Sequence, residues 1–194
     1  MRKTSLYLFL ATAYLLSAVS LVFPQNSARS LSFDTLENDP VKITSISFGG
    51  RTLSDPSQFP GDYQWLRKLT FTVKNVSDKK IVCFLLRIDL ENQGLPKNGE
   101  TVSGLFGVPY GVMSDEAFEK SKSVLAPGET ARILMRPNMI DQVQKYLFDN
   151  GGGDVTKGKV SFNMIMFDDK TAWNKGKTLV QHPTNPRMWA EKTN

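Results

Sequence analysis

Apolar and polar residues alternate along most of the chain after residue 40, and this is the period of a β-strand with one buried face. The clearest run is IVCFLLRIDLE at 81–91, in which every even position is apolar. Its odd positions start with Ile81, Cys83 and Leu85 and end with charged residues. We therefore expect one face of this strand to be core throughout and the other to be covered over its first half only.

Similar runs separated by turn residues predict further strands. They are VKITSISF at 41–48, LRKLTFTVKNV at 66–76, TARILMR at 130–136, KVSFNMIMF at 159–167 and AWNKGKTLVQ at 172–181, with Gly176 as a bulge in the last. This pattern predicts a mainly β fold, an antiparallel immunoglobulin-like β-sandwich, although closed barrels give similar strings.

Two segments with a helical pattern interrupt the strands, so we expect one or two short connecting helices. SDEAFEKSK begins at Ser114 and carries acids at its start, where the helix dipole favours them. NMIDQVQKYLFDNGGG places Ile140, Val143 and Leu147 on one face, with Asn138 as its expected N-cap and Gly151 as its end.

The N-terminus has the composition of an export signal. Arg2 and Lys3 precede an uncharged run from Leu6 to Phe23, and small residues at Ala18 and Ser20 suit signal peptidase. Residues 1–23 are interpreted as a signal peptide, with an uncleaved N-terminal membrane anchor as the alternative. We expect an exported protein, periplasmic or secreted, that meets a membrane only through an uncleaved segment.

The remainder divides into a polar leader at 24–40 and one domain at 41–190. Cys83 is the single cysteine, so no internal disulfide is available and the domain must be held by its hydrophobic core. Because Cys83 lies in an apolar run without a neighbouring base, we expect a buried, unreactive thiol.

Two sequence patterns carry a family resemblance. The first is LTFTVKNVSDKKIVCFLLRIDLE, in which a strand ends at Asn75, together with SVLAPGETARILM, which contains a turn at Leu125–Glu129. The second is the tail, which reads FDDKTAW and then HPTNPRMW. Over residues 65–189 the chain resembles uncharacterised bacterial exported immunoglobulin-like domain proteins. The resemblance implies the fold and brings no enzymatic residues. Lys170 stands where related turns read Gly, which argues against a backbone conformation that only Gly adopts, or indicates a reshaped turn.

Charge and motifs exclude several functions. The formal charge is +5, but the basic residues are scattered rather than set in a stripe with aromatics, so no nucleic-acid partner is expected. No serine lies in a nucleophile elbow, and the glycines at 151–153 lack the Lys-Ser/Thr of a phosphate loop. We expect no enzyme, no catalytic residues and no cofactor; a hydrolase is the least favoured alternative.

The tail has the residues closest to a metal site. Asp168 and Asp169 could bind Ca²⁺, but that ion prefers six to eight oxygens, so a β-turn explains them better. Trp173 would then anchor the hairpin. His182 is the only histidine and has no partner for zinc, and the sequence predicts no metal site.

The expected function is a binding or structural module of the cell envelope that contacts another protein, with carbohydrate binding through exposed aromatics as the alternative. The contact residues predicted for a protein or a glycan are Tyr63, Trp65, Phe106, Tyr110, Trp173 and Trp189. The apolar segment 99–113 is either a bulged strand or a loop that meets a partner. Asn75-Val-Ser77 matches a glycosylation sequon, but a turn accounts for it.

Overall fold

The computed structural model describes residues 27–91, 100–112 and 114–192, so the predicted signal segment 1–23 lies outside it. The strands are β1 Ser27–Asp34, β2 Val41–Phe48, β3 Arg51–Thr52, β4 Phe59–Gly61, β5 Leu69–Asn75, β6 Ile81–Glu91, β7 Thr101–Gly107, β8 Thr130–Leu134, β9 Lys157–Phe167, β10 Thr171–Asn174, β11 Lys177–Gln181 and β12 Trp189–Glu191. The helices are α1 Asp115–Ser121 and α2 Pro137–Asp149, with a 3₁₀ turn at Trp65–Lys68. The prediction of a mainly β fold with short connecting helices is confirmed.

The strands form two sheets. The smaller sheet has the order β3-β2-β5-β8 and is antiparallel. In the larger sheet β6 lies between β7 and β9, and the other side of β9 pairs with β1 at its start and with β10 at its end. β11 and β12 extend the sheet beyond β10, and β4 pairs with the first residues of β1. The β1–β9 pair is parallel, so this sheet is mixed.

One hydrophobic core lies between the sheets. Phe71 and Val73 from the smaller sheet and Phe84 and Leu86 from the larger are fully buried within it. Gly104 on β7 permits a close approach of the two sheets at one side, since a Cβ there would lie 2.6 Å from the Leu134 carbonyl oxygen on β8. The alternation predicted for β5 and β8 is confirmed.

A second, smaller cluster covers the outer face of the larger sheet. It contains Val82, Cys83, Met166 and Ala172, under Phe118 from α1. Two irregularities in the β6–β9 pairing produce it, one between Ile81 and Cys83 and one between Cys83 and Leu85. A one-residue bulge moves the following side chains to the opposite face. The expectation that the even-numbered face of β6 lies in one core throughout is therefore wrong at Val82.

The assignment of 24–40 to a polar leader does not hold for residues 27–34, which form β1. Leu31 is buried in the core, and Arg29 is also fully buried. The Arg29 guanidinium donates from Nε to the Gly61 carbonyl (2.9 Å) and from Nη1 to the Val155 carbonyl (2.7 Å). Its Nη2 forms an ion pair with Asp154 at 2.6 Å, without the alignment of a hydrogen bond. Arg29 thus joins β1 to β4 and to the segment before β9.

Both helices occur where the sequence predicts them. The Ser114 side chain caps α1 by accepting from the Ala117 amide. The predicted N-cap of α2 is wrong, because the helix begins at Pro137 with Arg136 before it. Pro is favoured at this first position because its missing N–H needs no helical partner. The buried face of α2 is the predicted one, formed by Ile140, Val143 and Leu147.

The predicted bulge in the last strand is instead a turn. β10 ends at Asn174 and β11 begins at Lys177, and the two pair in antiparallel register. Lys175 and Gly176 both have positive φ, 48° and 87°. This is the conformation of the two-residue hairpin turns whose twist matches that of the flanking strands.

Asn75 connects the end of β5 to the turn before β8. Its Nδ2 donates to the carbonyls of Lys79 (2.7 Å) and Leu125 (2.9 Å). Its Oδ1 accepts from the Ser77 amide (3.0 Å) and hydroxyl (2.7 Å). The side chain is fully buried, so the amide of the apparent sequon is enclosed in the folded chain.

Candidate functional site

An apolar cleft of about 330 Å³ opens between β1 and β2, where the edges of the two sheets separate. Val41 and Ile46 form part of its floor and are buried, whereas Phe33 at its rim is 40% exposed. Its lining consists of Phe33, Thr35, Val41, Lys42, Ile43, Thr44, Ser45, Ile46, Leu53 and Pro56. We call this the β2 cleft.

Among the residues that the structure describes, none forms a strand on the outer edge of β2 beside this cleft. Within the described ranges, residues 41–45 pair only with β5, and β3 reaches β2 only at Ser47 and Phe48. The Leu53 amide donates to the Ile46 carbonyl at 2.8 Å and ends the free stretch. An open edge next to apolar side chains is the arrangement that accepts an added strand.

Tyr110 and Trp189, two of the predicted contact residues, come together on the second cluster. Their ring centroids are 6.1 Å apart, and Tyr110 also packs on Phe118 at 4.5 Å. The Tyr110 hydroxyl donates to the Phe167 carbonyl at 2.9 Å. Burial raises the pKa of Tyr110 to about 12, with the nearby Asp168, Glu119 and Asp169 carboxylates adding to the rise, so the hydroxyl keeps its proton.

Tyr63 is 62% exposed, as predicted for a contact residue, and lies against α2. Gln144 donates from its side chain to the Tyr63 carbonyl at 2.8 Å. Arg67, four residues after Tyr63, forms an ion pair with Asp141. Phe148 shares the stripe of Asp141 and Gln144, being seven and four residues farther along α2. It is 84% exposed. We call the exposed side of α2 with Phe148, together with Tyr63 and its charged neighbours Asp62, Arg67 and Lys68, the Tyr63 face.

The other predicted contact aromatics are not free to meet a ligand. Trp65 is fully buried and donates from Nε1 to the Val155 carbonyl at 2.8 Å, so the contact role predicted for it is wrong. Trp173 is 9% exposed and belongs to the main core, as the hairpin-anchor interpretation predicts. Phe106 is partly buried and stacks on Phe84 at 5.2 Å. Residues 101–107 of the apolar segment 99–113 are β7, in regular register with β6; residues 99 and 113 lie outside the described chain.

The Asp168–Asp169 pair forms a turn, as predicted. Asp169 accepts from the Thr171 amide (3.0 Å) and hydroxyl (2.5 Å) through Oδ1, and from Lys79 Nζ (2.7 Å) through Oδ2. Partial burial opposes ionisation, but the hydrogen bonds from Lys79 and Thr171 outweigh it and lower the pKa of Asp169. Its oxygens are thus occupied by donors of the chain itself.

Lys170, between Asp169 and Thr171, has a φ of 61° and so adopts the left-handed conformation that favours Gly. Residues other than Gly also adopt this conformation, at a cost, so the expectation that Lys170 argues against a conformation that only Gly adopts is not contradicted. We expect Lys170→Gly to raise the free energy of unfolding by about 0.5–1 kcal/mol, because the strain of a Cβ at this φ exceeds the entropic cost of Gly. Urea unfolding measures it. Lys170→Ala is the matched control, because it removes the same charge but keeps the Cβ; an equal gain from Ala would show that strain is not the cause.

The single histidine and the single cysteine lie in different environments, one exposed and one buried. His182 is exposed, and its Nδ1 faces the Thr184 hydroxyl at 3.2 Å. Cys83 is buried, and burial raises the pKa of its thiol to about 12, as expected for an unreactive cysteine. Among the described residues, no three His, Cys, Asp or Glu side chains are placed to hold a metal ion.

Sequence reasoning missed the β2 cleft and Phe148. The cleft joins residues 33–46 to Leu53 and Pro56 across the edges of two sheets, a juxtaposition that no local pattern encodes. The exposure of Phe148 is predictable from the sequence, because on the helical wheel of α2 this residue lies outside the buried stripe of Ile140, Val143 and Leu147.

No helix within residues 27–91, 100–112 and 114–192 has the length and apolar character to cross a bilayer. Comparison of the chain with protein-family models, with curated proteins and with solved structures found no match in any of the three.

Proposed function

We propose that this chain is an exported binding module of the cell envelope that holds an extended segment of another protein in the β2 cleft. The observation that carries the proposal is the free outer edge of β2 at residues 41–45 beside an apolar cleft. An extended segment can satisfy the edge backbone and place alternate side chains among Val41, Ile43 and Phe33. The five free residues of β2 offer a track of about 17 Å, at ~3.3 Å per residue.

The connectivity supports an immunoglobulin-like sandwich as the finer fold. β2, β5 and β8 correspond to strands A, B and E, and β6, β7, β9 and β10 to C, C′, F and G. In this assignment β1 is an additional edge strand next to F. The N-terminal export signal in residues 1–23 supports placement outside the cytoplasm.

The glycan alternative has weaker support, because sugar stacking needs an exposed aromatic ring. Of the six predicted contact residues, Trp65 and Trp173 are buried and Phe106 stacks on Phe84. The other three lie on different surfaces, Tyr63 on the Tyr63 face and Tyr110 with Trp189 on the second cluster. A module without enzymatic activity remains the proposal.

A photoreactive residue at the exposed Thr35, on the cleft lining, tests the proposal in the envelope fraction. We expect a crosslink to one protein, within a segment of alternating apolar residues. Phe33→Lys should abolish the crosslink because it places a charge at the apolar rim. Val180→Lys on β11 is the matched control, because Val180 is 38% exposed and Phe33 is 40% exposed; it should leave the crosslink unchanged. A crosslink to a glycan, no crosslink, or one that Phe33→Lys leaves intact would contradict the proposal.

A further inference from the structure

The first strand of the domain, which follows the N-terminal segment, begins next to the Tyr63 face. β1 begins at Ser27, which pairs with Gly61, and Tyr63 lies two residues beyond. The Ser30 amide donates to the Thr156 carbonyl at 2.9 Å, so the segment that follows α2 also returns to this end of β1. The start of β1 and the Tyr63 face are therefore at the same end of the molecule.

The apolar run of the N-terminal segment ends only four residues before β1. Phe23 is its last residue and Ser27 is the first of the strand. Four residues span at most about 14 Å, at 3.3–3.6 Å per residue. If the run stays in a bilayer, the end of the domain that carries Tyr63 and Phe148 is held within this distance of the lipid surface.

The composition of this face fits the interfacial region of a bilayer. Its large apolar side chains, Tyr63 and Phe148, are exposed by 62% and 84%. Its charges are paired: Lys68 with Asp62 at 2.5 Å, Lys145 with Asp149 at 2.7 Å, and Arg67 with Asp141. Aromatic rings are favoured at the level of the lipid headgroups, and neutralised ion pairs lower the cost of approaching them.

We propose that residues 6–23 remain as a membrane anchor and that the Tyr63 face lies on the bilayer, with Tyr63 and Phe148 inserted among the headgroups. The β2 cleft uses other residues, so this inference goes beyond the proposed function and shares with it only the export of the chain. Docking would fix the orientation of the domain on the membrane. It also gives a role to two exposed aromatics that otherwise gain nothing from their position.

The test uses the full chain in nanodiscs of phosphatidylcholine and phosphatidylglycerol, with a fluorophore on Tyr63→Cys, Phe148→Cys or Val76→Cys and a nitroxide on the lipid headgroups. Val76 is the matched control: it is 51% exposed and follows Asn75, at the far end of β5, about 20 Å away along the strand. Cys83 stays unlabelled because it is buried. We expect at least twofold stronger quenching at positions 63 and 148 than at 76. Equal quenching at all three positions, or none, would overturn the proposal.

A second measurement separates docking from mere tethering. The label is placed on Lys145→Cys, also on α2, and both Tyr63 and Phe148 are replaced by serine. If the aromatics hold the face on the bilayer, quenching at position 145 falls at least twofold in this variant. If the anchor alone keeps the label near the lipid, quenching is unchanged and docking is refuted. Release of the intact domain from the nanodisc after incubation with signal peptidase refutes the retained anchor.

Discussion

Replacing Arg29 by methionine is expected to lower the free energy of unfolding by about 1–3 kcal/mol. The substitution keeps much of the side-chain volume but removes both donors that satisfy the Gly61 and Val155 carbonyls. It also leaves Asp154 without its cation. The Val155 carbonyl keeps the Trp65 indole as a donor, so the cost comes from the Gly61 carbonyl, which loses its buried side-chain donor, and from the lost ion pair. Urea unfolding followed by tryptophan fluorescence reports the change, since Trp65 donates to the same Val155 carbonyl.

Arg67→Met provides the matched control for Arg29. Arg67 also forms an ion pair, with Asp141, but its side chain is 34% exposed and that of Asp141 is 57% exposed. Exposed ion pairs contribute about 0–1 kcal/mol, so the control should change stability little. A loss at Arg29 no larger than that at Arg67 would show that the buried guanidinium is not needed to join β1 to β4.

Asn75→Asp is expected to reduce the free energy of unfolding by about 2–4 kcal/mol. The substitution is nearly isosteric, but it turns an oxygen toward the carbonyls of Lys79 and Leu125, where the Asn75 amide now donates. The carboxylate then faces the two carbonyl oxygens without a donor between them, in a site closed to water. Thermal unfolding and urea titration both measure the loss.

The pH dependence identifies the cause of the Asn75→Asp effect. A buried carboxylate that faces two carbonyls has a folded-state pKa above its unfolded value, because only the protonated acid can donate. The loss should therefore shrink as the pH falls toward the unfolded pKa of about 4 and be largest at neutral pH. Asn150→Asp is the control, since its amide bonds only the Tyr146 carbonyl at an exposed site. A loss at position 75 that does not change with pH would contradict this explanation.

The sequence predicts a strand wherever alternation is uninterrupted. β6 matches its predicted bounds, and Leu69, Phe71 and Val73 of β5 are buried as predicted. The errors arise where one residue changes the register. The irregular pairing between β6 and β9 sends Val82 and Met166 to the outer cluster, and bulges of this kind depend on the partner strand rather than on local composition.

β1 was missed for a different reason. SARSLSFD contains serines and an arginine that indicate a solvated leader, and only the folded chain supplies the acceptors that make burial of Arg29 favourable. The prediction of Trp65 as a contact residue fails for the same reason, because the Val155 carbonyl that accepts from its indole lies 90 residues away in the sequence. The contact surfaces depend on such long-range contacts, so Trp65 and Trp173 are buried whereas Tyr63, Phe106, Tyr110 and Trp189 keep some exposure.

The parallel pairing of β1 with β9 determines how the domain would respond to mechanical force. A pull on the N-terminal segment acts along β1, while β9 runs in the same direction and is held by β6 on its other side. The hydrogen bonds between Ser30–Asp34 and Lys157–Ser161 are then loaded in shear and share the tension, instead of opening one at a time as in a zipper. A domain that is pulled by its N-terminal segment therefore resists separation of β1 from β9 more strongly than a pairing of only five residues would suggest.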